Sequence, residues 1–186
     1  MMLETQRLLL RNWRDEDRAA FHRLNSDERI MRFFPFRRTR AEADAVMDRV
    51  RTEMERSGIG FGAAELKATG ETIGFLGLNR VADLSPALDG SVEIGWRLLP
   101  EHWGQGYVTE AARAWVAHGF DTVGADEIVA FAVRENAPSI AVMKRLGMVA
   151  DPSRDFDHPR VPNEHAALRP HVVYSLKPDA INRSGA

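Results

Sequence analysis

Two glycines stand in a short segment of the chain that joins an apolar stretch to a predicted helix. The segment reads Leu98-Leu99-Pro100-Glu101-His102-Trp103-Gly104-Gln105-Gly106-Tyr107-Val108-Thr109-Glu110-Ala111. Such a turn aims several backbone N–H groups and the positive end of a helix dipole at one place. Glycine also leaves the backbone open to close approach by a phosphate. The spacing therefore predicts an anion site that fits a pyrophosphate.

Three other interpretations of this loop compete with a pyrophosphate site, and two of them lack a residue that their motif requires. An ATP-type phosphate loop requires a lysine after its second glycine, and none follows Gly106. The dinucleotide fingerprint Gly-x-Gly-x-x-Gly fails at its third glycine, where Thr109 stands, although Asp126 lies far enough downstream for a ribose contact. An ordinary strand-to-helix turn is the third interpretation.

Three further segments accompany the loop in an order that is typical of a known family. They are Glu4-Thr5-Gln6-Arg7-Leu8-Leu9-Leu10-Arg11, Glu93-Ile94-Gly95-Trp96, and Asn136-Ala137-Pro138-Ser139 with Lys144-Arg145-Leu146-Gly147-Met148. Together with the loop, they resemble the first strand, the fourth strand, the pyrophosphate loop and the second cofactor segment of the GNAT superfamily of acyl-CoA N-acyltransferases. Within it, the resemblance is to the RimJ/RimL-like branch, and it runs across most of the chain.

The resemblance implies a fold and a reaction. The fold is α/β (α+β): a GNAT-like mixed, mostly antiparallel central sheet with splayed fourth and fifth strands and helices on both faces. The implied cosubstrate is acetyl-CoA, whose pantetheine arm enters between the splayed strands and pairs with backbone near Leu98 and Leu99. Pro100 fits this arrangement because it ends strand hydrogen bonding there. The implied reaction is direct attack on the acetyl thioester by a primary amine of a protein N-terminus or a small molecule.

The residues that the resemblance assigns to acetyl-CoA lie in the loop and in the second cofactor segment. They are Leu98, Leu99, Trp103, Gly104, Gln105, Gly106, Tyr107, Val108, Thr109, Asn136, Ser139 and Met143. Trp103 is usual in the RimJ/RimL-like branch, whereas Val108 is bulkier than the residue usual at its position. Asn136 is assigned to the pantetheine arm, but an asparagine shortly before Pro138 also suits a helix N-cap.

Two residues are the predicted catalytic groups. Many superfamily members donate a proton to the departing thiolate from a tyrosine, and here that position holds Met143, which cannot donate. The resemblance therefore implies Ser139 as the donor, with a locally hydrogen-bonded helix serine as the alternative. Glu93 is the predicted base, because it alternates with apolar neighbours in a strand beside the cofactor. A solvated or salt-bridged strand glutamate is the alternative.

The proline-rich stretch from Asp151 to Pro170 is predicted to be a long loop that gathers ionisable residues near the acceptor site. The rivals to Glu93 as the base lie there, and histidine titrates closest to neutrality. The residues expected to line the acceptor site are Phe34, Asp157, His158, Glu164 and His165, and core packing is the alternative for Phe34. No metal site is predicted, since the spacings of these carboxylates and imidazoles match no known ligand pattern.

Hydrophobic periodicity and turn residues predict the elements that position these groups. Strands are predicted over Leu8–Trp13, Phe61–Leu66, Thr72–Asn79, Ser91–Leu99, Glu127–Val133 and His171–Leu176. Helices are predicted from the cap Asp15, over Asp27–Phe33, from the Thr39/Glu42 capping box to about Arg56, over Thr109–Phe120, and from Pro138 to the stop at Gly147. One acetyltransferase domain over 1–178 and a frayed tail over 179–186 are expected.

Composition limits the classes of protein to consider. The chain has 186 residues, 44% of them hydrophobic and 28% charged, with a net charge of −2 and no cysteine. Disulfides, thiolate metal sites and a cysteine nucleophile are excluded. The balanced charge predicts no nucleic-acid or membrane partner, and a cytoplasmic location is expected. A homodimer is left open. Two other functions compete: a non-catalytic acyl-CoA-binding module, which the missing tyrosine allows, and a nucleotide-binding regulator.

Overall fold

The computed structural model describes residues 2–178, which fall into two compact units. The first unit comprises Met1–Asn79 and Gly95–Trp115, and the second comprises Arg80–Ile94 and Val116–Ala186. The tail predicted over 179–186 lies outside the described residues. The single domain expected over 1–178 stays a prediction.

An antiparallel sheet and two complete helices build most of the first unit. Its elements are β1 (Met2–Glu4), β2 (Leu8–Arg11), α1 (Arg18–Ser26), α2 (Arg40–Ser57), β3 (Phe61–Leu66) and β4 (Thr72–Arg80), then the end of β5 (Val92–Leu98) and the beginning of α3 (Tyr107–Asp121). Strands β1 to β4 pair with one another in chain order, all antiparallel. The end of β5 lies close to β4: a Cβ atom placed on Gly74 of β4 would be only 2.4 Å from the carbonyl oxygen of Arg97.

Both ends of helix α2 are set by capping residues that can be recognised in the sequence. The Thr39 side chain accepts a hydrogen bond from the Glu42 amide, and the Glu42 carboxylate accepts one from the Thr39 amide at 2.8 Å. The helix ends at Gly58, whose φ of 76° is left-handed. Its buried side Ala43, Met47 and Met54 packs into a core cluster with Trp13, Phe21, Leu24, Met31 and Leu99. The predicted capping box is thereby confirmed.

The second unit is built on two long antiparallel strands. Its elements are the start of β5, the end of α3, β6 (Ile128–Val133), α4 (Ala137–Arg145), β7 (Val149–Ala150), β8 (Phe156–Asp157) and β9 (Pro170–Leu176). Strand β9 pairs antiparallel with β6, β7 and β8. The start of β5 pairs in parallel with β6, Val92 with Ile128 and Glu93 with Val129, as expected for strands that splay further along. The predicted mixed, mostly antiparallel sheet is confirmed.

Three local expectations need correction. The segment Asp27–Phe33 forms a 3-10 turn over Met31–Phe33 instead of a second helix, and a 3-10 turn over Asp15–Asp17 precedes α1. Strand β1 carries no periodic signal and was not predicted. The stretch 151–170 contains β8 and 3-10 turns over Pro152–Arg154 and Asn163–Leu168, so it is more ordered than a plain loop. In each case tertiary contacts determine the conformation of a segment that is too short to show a hydrophobic period.

Among the described residues, no helix combines the length and the apolarity that a membrane crossing requires.

Candidate active site

The glycine loop presents a row of backbone amides at the beginning of α3. A 3-10 turn over Pro100–His102 follows β5, and then Gly104 and Gly106 adopt left-handed φ values of 74° and 80°. Within residues 2–178, the amides from Gly104 to Thr109 find no hydrogen-bond acceptor, whereas the Glu110 amide donates to the Gly106 carbonyl. A Cβ on Gly104 would meet nothing within 4 Å. The loop therefore offers free N–H donors and open space, as an anion site requires.

The flanks of the loop are held by side-chain hydrogen bonds to backbone. The Trp103 indole Nε1 donates to the Leu98 carbonyl at 2.8 Å, although 48% of the Trp103 side chain is exposed. The Gln105 amide nitrogen Nε2 donates to the Glu101 carbonyl at 3.0 Å. These bonds tie the loop to the end of β5 on one side and to the 3-10 turn on the other.

An ion pair between Arg7 and Glu110 braces the glycine loop, and neither residue was predicted to have a role. The Arg7 Nε atom donates to Glu110 Oε2 at 2.6 Å, and its Nη1 atom donates to the Gln105 carbonyl at 3.0 Å. The guanidinium also lies over the Tyr107 ring, 4.3 Å from its centroid. Thr5 donates to Glu110 Oε1 at 2.6 Å. Both partners lie inside segments that carry the family resemblance, but their pairing has no local signal.

The backbone of Leu99, predicted to face the cofactor, is already engaged in the first unit. Its amide donates to the Ile73 carbonyl at 2.8 Å, and its carbonyl accepts from the His102 amide at 3.0 Å. The Leu98 carbonyl accepts the Trp103 indole N–H, and both leucine side chains are buried. Each of these carbonyls can accept a second hydrogen bond, so the predicted pairing of the pantetheine arm with backbone at Leu98 and Leu99 stays a prediction.

Glu93 is a half-buried carboxylate in the second unit that lacks a partner. Within the described chain it forms no hydrogen bond and no ion pair, so nothing offsets the loss of water around it. Burial raises the pKa of Glu93 to about 7. Its register partner on β6, Val129, belongs to a buried cluster with Val81, Leu88 and Val173. A carboxylate with a pKa near neutrality can both take and release a proton at physiological pH.

The second cofactor segment forms the first turn of α4. The Asn136 side chain accepts from the Ser139 amide at 3.3 Å, which is the N-cap interpretation of Asn136. Its side-chain N–H₂ and the Ser139 hydroxyl take no part in that bond. Met143 is buried, with 1% of its surface exposed. The contacts of these residues with acetyl-CoA stay predictions.

His158 packs among other rings, whereas the other residues of 151–170 that were predicted to line the acceptor site are exposed. The ring of His158 lies 4.9 Å from that of buried His171, and both contact Phe156. Burial, together with the charges of His171 and Arg160, lowers the pKa of His158 to about 4, and burial also lowers the pKa of His171. Asp157, Glu164 and His165 are exposed. The structure thus separates His158 from the exposed residues that were grouped with it in sequence.

Phe34 lies in the first unit against Arg97 of β5. The Arg97 guanidinium carbon is 4.3 Å from the Phe34 ring centroid, and the ring also packs on the hydrophobic core.

Within the described range 2–178, the residues close enough together to share a metal ion are Glu71, Glu101 and His102, none of which belongs to the predicted acceptor loop. That trio lies beside the 3-10 turn of the first unit, and Glu71 and Glu101 are exposed.

Comparison with known proteins decides the family. The pattern of the acetyltransferase (GNAT) domain matches residues 7–149. The chain belongs to the GNAT acetyltransferase family. A relative, the uncharacterized N-acetyltransferase YoaA of Bacillus subtilis, is 29% identical over 150 residues, which cover 78% of this chain and 81% of YoaA. Family membership confirms the resemblance drawn from the sequence and argues against a nucleotide-binding regulator.

Solved GNAT structures share the fold. An acetyltransferase from Agrobacterium tumefaciens has a TM-score of 0.75 and 28% identity, covering 95% of this chain and 94% of its own. RimJ of Mycobacterium smegmatis, solved in complex with CoA-disulfide, has a TM-score of 0.71 and 21% identity, covering 95% of this chain and 87% of its own. The predicted GNAT fold is therefore confirmed, with RimJ among its structural neighbours.

Proposed function

We propose that this GNAT protein transfers the acetyl group of acetyl-CoA to a primary amine by direct attack. The observation that carries the proposal is the row of free amides from Gly104 to Thr109 at the N-terminus of α3. These donors and the helix dipole suit the pyrophosphate of CoA. Support comes from the family itself and from the CoA adduct held by the structural neighbour RimJ.

Glu93 is the proposed base. Once the amine nitrogen attacks the thioester carbon, the new C–N bond forms and the nitrogen carries a proton that it must lose. A carboxylate with a pKa of about 7 is largely ionised just above neutrality and is basic enough to accept that proton directly or through one water. Collapse of the tetrahedral intermediate breaks the C–S bond, and the Ser139 hydroxyl is the proposed proton donor to the thiolate.

The test is turnover of acetyl-CoA over a panel of amines, with released thiol and acetylated product both measured. The panel contains a peptide with a free N-terminus, small aliphatic amines and aromatic amines. Stoichiometric thiol release with product establishes the transferase. Tight CoA binding without product for any amine would instead support the acyl-CoA-binding module, and a lack of CoA binding would contradict both.

A further inference from the structure

The guanidinium of Arg97 has no carboxylate partner among the residues that the structure describes. Its Nη1 atom donates to the Leu24 carbonyl at 3.1 Å and to Asn25 Oδ1 at 2.8 Å, and both acceptors are neutral. Within residues 2–178, no carboxylate lies within ion-pair distance of it, and Nη2 and Nε have no acceptor. Burial and the nearby charge of Arg38 lower the pKa of Arg97 to about 9, so the guanidinium stays charged at neutral pH.

Arg11, in the same unit, has a different environment. Arg11 is 5% exposed, and two carboxylates neutralise it: Asp17 at 2.7 Å and Glu65 at 2.6 Å. A buried cation is costly unless it is paired and hydrogen-bonded. Arg11 meets this requirement, whereas half-buried Arg97 has neutral acceptors and no carboxylate partner among residues 2–178.

A second arginine adds to the same positive charge. The backbone amide of Arg38 donates to the Asn25 carbonyl at 2.9 Å, so Asn25 links the Arg38 segment to Arg97. The Nε atom of Arg38 is buried and has no hydrogen-bond partner. The hydrogen bonds from Thr39 lower the pKa of Glu42, with a smaller contribution from the charge of Arg38, and this carboxylate is already engaged in the capping box of α2. An anion that binds both half-buried guanidiniums would offset the repulsion between them.

Aromatic rings border both guanidiniums. Arg97 lies 4.3 Å from the Phe34 ring centroid and 5.1 Å from that of Phe75, and Arg38 lies 4.6 Å from that of Phe36. The side chain of Arg37 holds this segment in place by donating to the carbonyls of Phe34 and Phe36. Phe36 is 40% exposed, so the apolar border reaches the surface. Such surroundings suit an anionic group attached to an apolar body.

We propose that Arg97 and Arg38 bind the oxyanionic group, carboxylate or phosphate, of a small organic ligand whose apolar part packs on Phe34 and Phe36. The free Nε and Nη2 donors of Arg97 present the fork that grips two oxygens at once. Arg97 directly precedes Leu98 and the glycine loop within the first unit. If the proposed acetyl transfer holds, on which this step rests, the ligand is the acceptor, an amine that also carries an anionic group.

Binding of simple anions tests the site without any acetyl transfer. Calorimetry of the full-length protein compares benzoate, phenyl phosphate and the neutral isostere benzamide. We expect saturable binding of at least one anion, no comparable binding of benzamide, and affinity at least about tenfold weaker in Arg97→Met. Arg38→Gln should weaken binding by a smaller factor. Arg32→Gln is the matched control, because Arg32 is exposed on the same segment and stacks on Phe33 instead.

One further variant and the comparison of the two anions make the outcomes decisive. Arg97→Lys keeps the charge and the stem but loses the fork, so it should bind more weakly than the unchanged protein even if Arg97→Met does not fold. Stronger binding of phenyl phosphate than of benzoate would assign a phosphate ligand, and the reverse a carboxylate. Absence of saturable binding of either anion, or equal affinity in the arginine variants and the control, would overturn the proposal.

A matched pair of amines then connects the site to catalysis. The acceptors 4-(aminomethyl)benzoate and 4-(aminomethyl)benzamide share the amine and differ in charge. We expect kcat/KM to favour the acid by at least about tenfold, and Arg97→Met to abolish the preference. Anion binding without acetylation of any amine would defeat the proposed function while the anion site stands. Acetylation without charge preference and without anion binding would support the proposed acetyl transfer and contradict the anion site.

Discussion

The Arg7 Nε atom lies 2.6 Å from Glu110 Oε2, across 103 positions of sequence, and this pair braces the glycine loop. The same guanidinium reaches the Gln105 carbonyl and the Tyr107 ring on either side of Gly106. The Glu110 carboxylate also accepts from the Arg7 amide at 2.8 Å and from the Thr5 hydroxyl, and these bonds lower its pKa despite burial. The loop that offers its amides to an anion is thus held in shape before any ligand arrives.

Glu110→Gln should weaken CoA binding by about five- to tenfold, because the loop loses a charged clamp that is partly exposed to solvent. The helix should still form, since the Glu110 backbone amide keeps its bond to Gly106. Calorimetry with CoA measures the effect. Glu101→Gln is the control, because it breaks the exposed Arg23 ion pair at 2.8 Å in the neighbouring turn without touching the brace. Equal losses in both variants would contradict a specific role for Arg7 and Glu110.

Gly106→Glu should lower CoA affinity by far more than tenfold, since it adds a carboxylate among the amides that would bind the pyrophosphate. The substitution also strains a backbone whose φ is 80°. Gly124→Glu controls for that strain, because Gly124 has a φ of 71° and open space around its Cβ position, and it lies outside the loop. Thermal unfolding verifies that both variants fold. CoA affinity that survives in folded Gly106→Glu would move the pyrophosphate elsewhere.

Local chemistry was predictable from the sequence, and long-range pairing was not. Thr39, Glu42 and Gly58 mark the ends of α2 by rules that act within a few residues, and the glycine loop is equally local. Arg7 meets Glu110, and Arg97 meets Asn25 72 positions away, through contacts that leave no mark on spacing. Strand β8 was missed for the same reason: it exists because Phe156 pairs with His171 and packs on Phe131. The lone carboxylate of Glu93 was identified by strand alternation, but only its surroundings set its pKa.

Glu93 should reveal itself in both the activity and the stability of the enzyme. A base with a pKa of about 7 predicts that kcat/KM rises with pH through about 7, and Glu93→Gln should lose this limb together with most turnover. The pKa is raised from 4.5, so the folded state binds the proton more tightly than the unfolded chain does, and stability falls as pH rises from about 4.5 through about 7.

The same variant should therefore gain stability where it loses activity. At pH 8 we expect Glu93→Gln to unfold at a higher temperature than the unchanged protein, and its free energy of unfolding to be larger by up to about 3 kcal/mol. Near pH 4 the free energies of unfolding of the two proteins should converge. Exposed Glu135→Gln serves as the control in both assays. A pH–rate profile that Glu93→Gln leaves unaltered would transfer the role of base to the 151–170 segment, with Glu164 tested next.

His158 should make the second unit sensitive to acid. Its Nδ1 atom accepts from the Arg160 amide at 3.2 Å, and its ring packs on His171 and Phe156, with Asp157 and Arg160 as the charged neighbours. The folded pKa of about 4 lies below the ordinary histidine pKa of 6.5, so the stability that neutral His158 contributes is present above about pH 6.5 and is lost as pH falls toward 4. His158→Phe should make the unfolding temperature less dependent on pH across that window, and buried His171, whose pKa is also lowered, should retain part of the dependence. The control variant His165→Phe, at an exposed histidine, should keep the pH dependence of the unfolding temperature. If both variants show the same pH dependence, His158 is not its source.

Ser139→Ala separates a proton donor from a structural serine. The Asn136 cap uses the backbone amide of residue 139, so alanine keeps the turn and removes only the hydroxyl. The chemical step should slow toward the lower end of the roughly 10²–10⁴-fold range of proton-transfer catalysis, because a CoA thiolate with a thiol pKa of about 8.5 leaves readily. A donor matters less as the leaving thiol becomes more acidic. Single-turnover rates with acyl thioesters of increasing thiol acidity should therefore show a shrinking deficit in Ser139→Ala. A deficit that stays constant across this series, or that appears only as weaker CoA binding, would make Ser139 a cofactor contact and leave the thiolate to depart unprotonated.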